Sequence, residues 1–255
     1  MKRFFVFLGV VFMTIGSAVR AQEVDSIAQL QKSSWGDAKT EEAVEYIPDV
    51  YVHARMGYEH DFSEQVGRFD GNGLYLGIDG KISPNFSYSF YHNIATEHGG
   101  DFFSSTNWLT LAYENDFMSI KAGKDGVLLG SFEYDAYDID SYYFMNSSFW
   151  NAFDCWQWGA SASFYPADDH EIAIQACNSP LSWGEPNLFA YALGWRAEMD
   201  WFESYWTANL WQYDKGSYMK LLNFGNRFSF DDFSFDLEYM TRATDLKDLF
   251  ARDFT

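Results

Sequence analysis

Through most of this chain, apolar and polar residues alternate with a period of two. The alternating segments are joined by connections that are tight at one end and long or polar at the other. Leu74-Tyr75-Leu76-Gly77-Ile78-Asp79-Gly80-Lys81-Ile82 shows the pattern, with mostly apolar even positions and Tyr, Gly, Asp and Lys at odd ones. One such segment indicates only a half-buried strand. About eleven in series, with short and long connections taking turns, indicate an all-β chain folded as a transmembrane antiparallel up-and-down β-barrel.

The N-terminus supports export. Lys2 and Arg3 precede an apolar run from Phe4 to Ile15, and Ser17-Ala18-Val19-Arg20-Ala21 offers a small-residue cleavage site, so residues 1–21 read as a signal peptide. The run is shorter than the roughly 20 apolar residues of a membrane-spanning helix. No later stretch approaches that length, so any membrane crossing falls to strands. Residues 22–49 are polar and acidic and read as a periplasmic leader, leaving residues 50–255 for the barrel.

With 17 Lys and Arg against 37 Asp and Glu, the net charge is −20, and removal of Lys2, Arg3 and Arg20 takes it to −23. Nucleic acid is excluded as a partner on this ground, because phosphate contacts need clustered cations. Aromatic residues make up 20 % of the chain. A barrel in lipid needs aromatic girdles at both membrane interfaces, whereas an aqueous β-sandwich needs only a few large rings in its core. The mean hydropathy of −0.29 is the value expected when lipid-facing and lumen-facing residues are averaged.

The expected strands are Tyr51–Phe62, Gly73–Ile82, Phe86–Asn93, Asn107–Glu114, Phe117–Gly123, Trp156–Tyr165, Glu171–Cys177, Ala190–Met199, Phe202–Tyr213, Tyr218–Phe228 and Phe233–Ala243. Tight turns fall near Pro84, Asp116, Asp168, Asp200 and Asp231. Longer connections fall at 61–72, 94–106, 124–155 and 178–189, with 213–217 a short member of that class. Short periplasmic turns and long external loops make every odd-numbered strand rise from the periplasm.

Gly80-Lys81-Ile82-Ser83-Pro84-Asn85-Phe86-Ser87-Tyr88 resembles the first tight hairpin of the phosphate-selective porin O and P family, in its Bacteroidetes-type branch. Ala122-Gly123-Lys124, then Gly130-Ser131-Phe132-Glu133-Tyr134-Asp135, Ile139-Asp140 and Tyr142, resemble that family's strand leading into a long loop. The resemblance covers roughly residues 47–243. It implies an outer-membrane pore, a barrel of 16 strands, a homotrimer, and a 124–155 loop that folds inward to narrow the channel. The implied partners are outer-membrane lipid and lipopolysaccharide, the barrel-assembly machinery and small solutes.

The lumen phase mixes Arg55, Lys81, Lys121, Arg196 and Arg242 with Glu59, Asp79, Glu198, Asp236 and Glu238. That is no basic ladder, so phosphate is not the expected solute. The candidate pore-lining and constriction residues are Arg55, Lys121, Lys124, Asp135, Asp138, Asp140, Arg196 and Arg242. Acids in the loop are read as an electrostatic filter. A Ca²⁺ ion on Asp135, Asp138 and Asp140 is a less favoured option, since the run 133–140 lacks the glycine and closing glutamate of an EF-hand. No other metal or cofactor is expected. Cys155 and Cys177 flank one hairpin in an exported chain, so a disulfide is one option, although simple register sets them about 13 Å apart along the strands.

Catalysis is not expected. None of His53, His60, His92, His98 and His170 lies two residues before a serine, as outer-membrane phospholipases require. His170-Glu171 begins like a zinc-protease motif, but residue 174 is Ile. The remaining alternative is a secreted soluble β-sandwich that binds carbohydrate. At the C-terminus, Leu249–Thr255 is either an abbreviated twelfth strand or the start of what an incomplete 16-stranded barrel would continue.

Overall fold

The computed structural model describes residues 47–61, 65–95, 101–132, 152–182, 184–230 and 233–250. The expected signal peptide, the leader up to residue 46, and Asp135, Asp138 and Asp140 lie outside the described residues.

Eleven strands follow one another: β1 (Asp49–Asp61), β2 (Val66–Ser83), β3 (Phe86–Asn93), β4 (Thr106–Asn115), β5 (Met118–Gly126), β6 (Trp156–Ala167), β7 (His170–Asn178), β8 (Phe189–Met199), β9 (Phe202–Asp214), β10 (Ser217–Phe230) and β11 (Phe233–Ala243). They form one antiparallel sheet in chain order, each strand pairing with its sequence neighbours. The sheet is open among the described residues, with β1 and β11 as its outer strands. Both run in the same direction, so bringing those two edges together would make a parallel seam.

Register gives the sheet two unlike faces. One carries Ile120, Ala162, Ile174, Leu193, Ala208 and Leu222 in a continuous row across β5–β10. Ile174, Leu193 and Leu237 on this face are 48 %, 54 % and 59 % exposed. Exposed rings gather at its two ends. Phe86, Phe117, Phe164, Trp201, Phe230 and Phe233 stand near the tight turns, and Trp158, Phe189, Tyr191 and Tyr213 near the longer connections. All eleven strands lie in the same sheet, so no second sheet among the described residues packs on this apolar face.

Two sequence expectations need correction. The connection expected at 61–72 is mostly strand. Asp61 pairs with Val66, and Gln65, at φ 54°, lies in the turn. The stretch from Val66 to Asn72 carries two glycines and three polar side chains, a poor strand composition on its own. Its partner compensates: Tyr58 packs on Phe69 at 5.1 Å, and the Tyr58 hydroxyl lies over Gly67. At the other end, Leu246–Asp248 is a short 3-10 turn capped by Asp245, and Thr241 donates its hydroxyl to the carbonyl of the buried Leu249. The chain therefore folds back on β11 through Leu249, and residues 251–255 of the expected twelfth strand lie outside the described residues. The second correction concerns Lys124 and belongs to the site below.

Gly123 in β5 has φ 137°, a conformation that disfavours side chains, and a Cβ there would collide with the carbonyl of Leu109. Gly123→Val is expected to cost about 1–3 kcal/mol of stability. A fall in the urea midpoint followed by tryptophan fluorescence checks this, and an unchanged midpoint would show that the β4–β5 ladder relaxes around the side chain.

Candidate functional site

After β5 the chain turns onto the face opposite the apolar one, and residues 127–132 cross it. Side chains from four strands hold this segment through its backbone. Gln175 of β7 donates Nε2 to the Gly126 carbonyl at 2.8 Å and accepts from the Leu128 amide at 2.7 Å. Thr207 Oγ1 of β9 accepts from the Gly130 amide at 2.9 Å, and Asn223 of β10 donates Nδ2 to the Gly130 carbonyl. Glu238 of β11 accepts from the Phe132 amide at 2.5 Å and from the Ser131 hydroxyl at 2.8 Å. A Cβ on Gly130 would stand 2.6 Å from the Tyr205 carbonyl oxygen, so only glycine lets the segment lie this close to β9.

Apolar contacts reinforce the polar ones. Val127 and Leu129 join Phe153, Cys177, Ala190, Trp211 and Leu221 in one buried cluster. Phe132 is fully buried, with the Arg227 guanidinium 4.3 Å above its ring and Tyr205 at 6.3 Å.

Charges of alternating sign cross β8–β11 beside this segment. Arg196 Nε donates to Glu203 at 2.7 Å, Arg227 stands 3.7 Å from the other Glu203 oxygen, and Arg227 donates twice to Asp236 at 2.8 and 3.1 Å. Across the sheet, Lys121 pairs with Asp125 at 2.9 Å. The positive charges of Arg196, Arg227 and Lys121 are thus compensated where they stand, while Arg242 is exposed on β11 with no partner among the described residues.

The sequence candidates sort accordingly. Lys121, Arg196 and Arg242 lie on the segment-bearing face, and Arg55 of β1 stands opposite Gly73 in the ladder. Lys124 does not belong with them. It pairs with Leu109 and Trp158, on the phase of the apolar face, because it lies three positions from Lys121 and a strand's side chains alternate. It is buried, and its ammonium donates to the Phe103 carbonyl at 2.6 Å. Gln175, Glu203, Thr207, Asn223 and Arg227 were not singled out from sequence. Their common signal is polarity on the inward phase of neighbouring strands, which only the register brings together.

On β1–β4 the same face carries packed rings. Tyr75 stacks on Tyr91 at 5.0 Å and Tyr91 on Trp108 at 4.3 Å, nearly parallel in both cases. His53 Nδ1 and the Tyr91 hydroxyl share a 3.0 Å hydrogen bond, and Tyr51 lies 6.2 Å from Tyr91. Trp108 donates Nε1 to Ser89 at 2.7 Å, and Ser89 donates to Asp79.

Cys155 and Cys177 are both free, so the disulfide option is not realised. Cys177 pairs with Gly159, which leaves Cys155 four residues out of step. Burial pushes the Cys155 thiol up to about 12. Among the described residues, no group of three or more His, Cys, Asp or Glu side chains is placed to hold a metal ion. Beside Cys155, at the end of the sheet with the longer connections, a cleft of about 540 Å³ opens between Asp154 and Gln157 on one side and residues 178–182 and 184–187 on the other.

Among the described residues Glu238 is the one charged side chain bonded to the backbone of the 127–132 segment, and a hydrogen bond to a charged group contributes about 1.5–3 kcal/mol. Glu238→Ala is expected to speed amide exchange at Ser131 and Phe132 at least tenfold relative to β9 amides, read by hydrogen–deuterium exchange. Equal protection in the variant would show that the apolar contacts hold the segment alone.

No family model matches the chain, and a search of curated proteins finds no match.

Proposed function

We propose that this chain is an outer-membrane porin-like protein whose sheet curls into a β-barrel. The apolar face meets lipid, and the segment-bearing face lines a water-filled passage for small hydrophilic solutes. The observation that supports this reading is the pairing of two unlike faces on one sheet. One face exposes Ile174, Leu193 and Leu237 between two bands of rings, the distribution that a membrane barrel needs. The other face is polar and carries the 127–132 segment across β7–β11.

In lipid every backbone polar group needs a partner, which an antiparallel ladder supplies strand by strand. Selection in the passage would come from size and from charges at the narrowing. The ion pairs of Arg196, Glu203, Arg227 and Asp236 leave little net charge beside the segment. That favours passage of neutral or weakly charged solutes over a dedicated anion path. The resemblance to the phosphate-selective porin O and P family supports the architecture more than the phosphate.

Cysteine labelling tests the assignment of faces. In a Cys155→Ser, Cys177→Ser background, single cysteines at Ile174, Leu193 and Leu210 are expected to resist a charged maleimide in outer-membrane vesicles. Cysteines at Ser161 and Arg242 are expected to react. Uniform labelling of both sets, or recovery of the chain in the aqueous fraction without detergent, would overturn the reading.

A further inference from the structure

We propose that the cleft between Asp154 and Gln157 on one side and residues 178–182 and 184–187 on the other binds a neutral saccharide of one or two rings. This deepens the porin reading by naming the solute class met at the rim of the longer connections.

At about 540 Å³ the cleft falls within the size of small-molecule sites. Its walls are pre-organised. The Ser179 amide donates to the Leu188 carbonyl at 3.0 Å, the Ser179 hydroxyl donates to the Gln212 carbonyl at 2.5 Å, and the Phe189 amide donates to Gln212 Oε1 at 3.0 Å. Ser179 and Pro180 are fully buried beneath the loop they begin. A wall held this way loses little freedom when a ligand arrives.

The lining chemistry selects the ligand. The amides of Gln157, Asn178 and Asn187 can each donate and accept. The carboxylates of Asp154 and Glu185 accept only. The Asn178, Glu185 and Asn187 side chains have no partner among the described residues. Sugar hydroxyls both donate and accept, so this mixed set meets them directly. Pro186, which is exposed, supplies apolar surface for the C–H face of a sugar ring. Among the described residues no Lys, Arg or His lines the cleft, so its walls offer an anion no direct counter-charge. Two carboxylates without a third acid make a poor cage for a hard cation.

The cleft also leads toward the rings. Gln157 stands opposite Asp125, and its neighbour Trp156 lies 5.5 Å from Trp108, where the aromatic row of β1–β4 begins. A saccharide leaving the cleft would thus meet aromatic and hydroxyl surface next.

The test is isothermal titration of the full chain in a zwitterionic detergent, because glycoside detergents would compete. Maltose, cellobiose and lactose are the probes, with CaCl₂ and inorganic phosphate as separate arms. Saturable binding of at least one disaccharide is expected, weakened about tenfold by Asn178→Ala and by Glu185→Gln, as the loss of one good hydrogen bond implies. Lys247→Ala, on the far side of the sheet's chain order, should bind as the parent does. Heat-modifiable gel mobility retained in each variant separates loss of binding from loss of fold. Binding of Ca²⁺ or phosphate without any saccharide, or no binding at all, overturns the proposal. Disaccharide failure with the labelling pattern intact would sink the saccharide site alone. Disaccharide binding by a chain found in the aqueous fraction would sink the porin reading alone.

Discussion

Register is the constraint on which the rest of this structure depends. Each of the eleven strands pairs with its sequence neighbours, so every contact in the sheet follows from where each hairpin turns. A slip of one residue in any ladder would send Leu193 and Leu210 to the segment-bearing face and Arg196 and Glu203 to the apolar one. The turns guard against that. Asn85 Nδ2 bonds the Glu114 carbonyl at 2.7 Å, and Asn115 Oδ1 accepts from the Phe117 and Met118 amides at 3.1 Å each. The irregularities also have local causes. The β2–β3 ladder shifts between Lys81 and Ser83, just before Pro84 cannot donate.

The 127–132 segment depends on that register in turn. Gln175, Thr207, Asn223 and Glu238 are far apart in sequence, yet each meets a different backbone group of seven consecutive residues. Without these side chains the segment's amides and carbonyls would lie buried against the sheet with nothing to bond, at a cost of about 1–3 kcal/mol each. The segment and the ladder are therefore one cooperative unit. Gly130 and Gly225 make room for it from both sides, since a Cβ on Gly225 would stand 3.0 Å from the Gly130 carbonyl oxygen.

Much of this was legible beforehand. Period-two alternation gave the strands, and the phase assigned to Gly194, Arg196, Glu198, Asp236, Glu238 and Arg242 is the one the register shows. The family resemblance led to an expected loop over one face after β5, and its described residues, 127–132, lie on the polar face of the sheet. What failed did so for identifiable reasons. Val66–Asn72 looked like a loop because its strand character comes from Tyr58 and Phe69 meeting across the hairpin. Lys124 was counted with the constriction loop that it begins, while its odd spacing from Lys121 puts the two on opposite faces of β5. Glu203 and Arg227 went unremarked because an ion pair between neighbouring strands has no spacing signal in one dimension.

The charge distribution carries the last step. The chain holds a large excess of acid, yet beside the segment acids and bases alternate from β8 to β11 and neutralise one another. The excess must then reside largely elsewhere, as with the exposed acids Asp154 and Glu185 at the cleft and Asp214 and Asp245 at the same end of the sheet. Charges there act through solvent and fall off within about 8–10 Å at moderate salt. On the porin reading proposed above, they would repel anions at the mouth of the passage without setting what passes its narrowest part. A face compensated within and acidic at its rim treats a neutral polar solute the same way at both levels, and an anion unfavourably at the first.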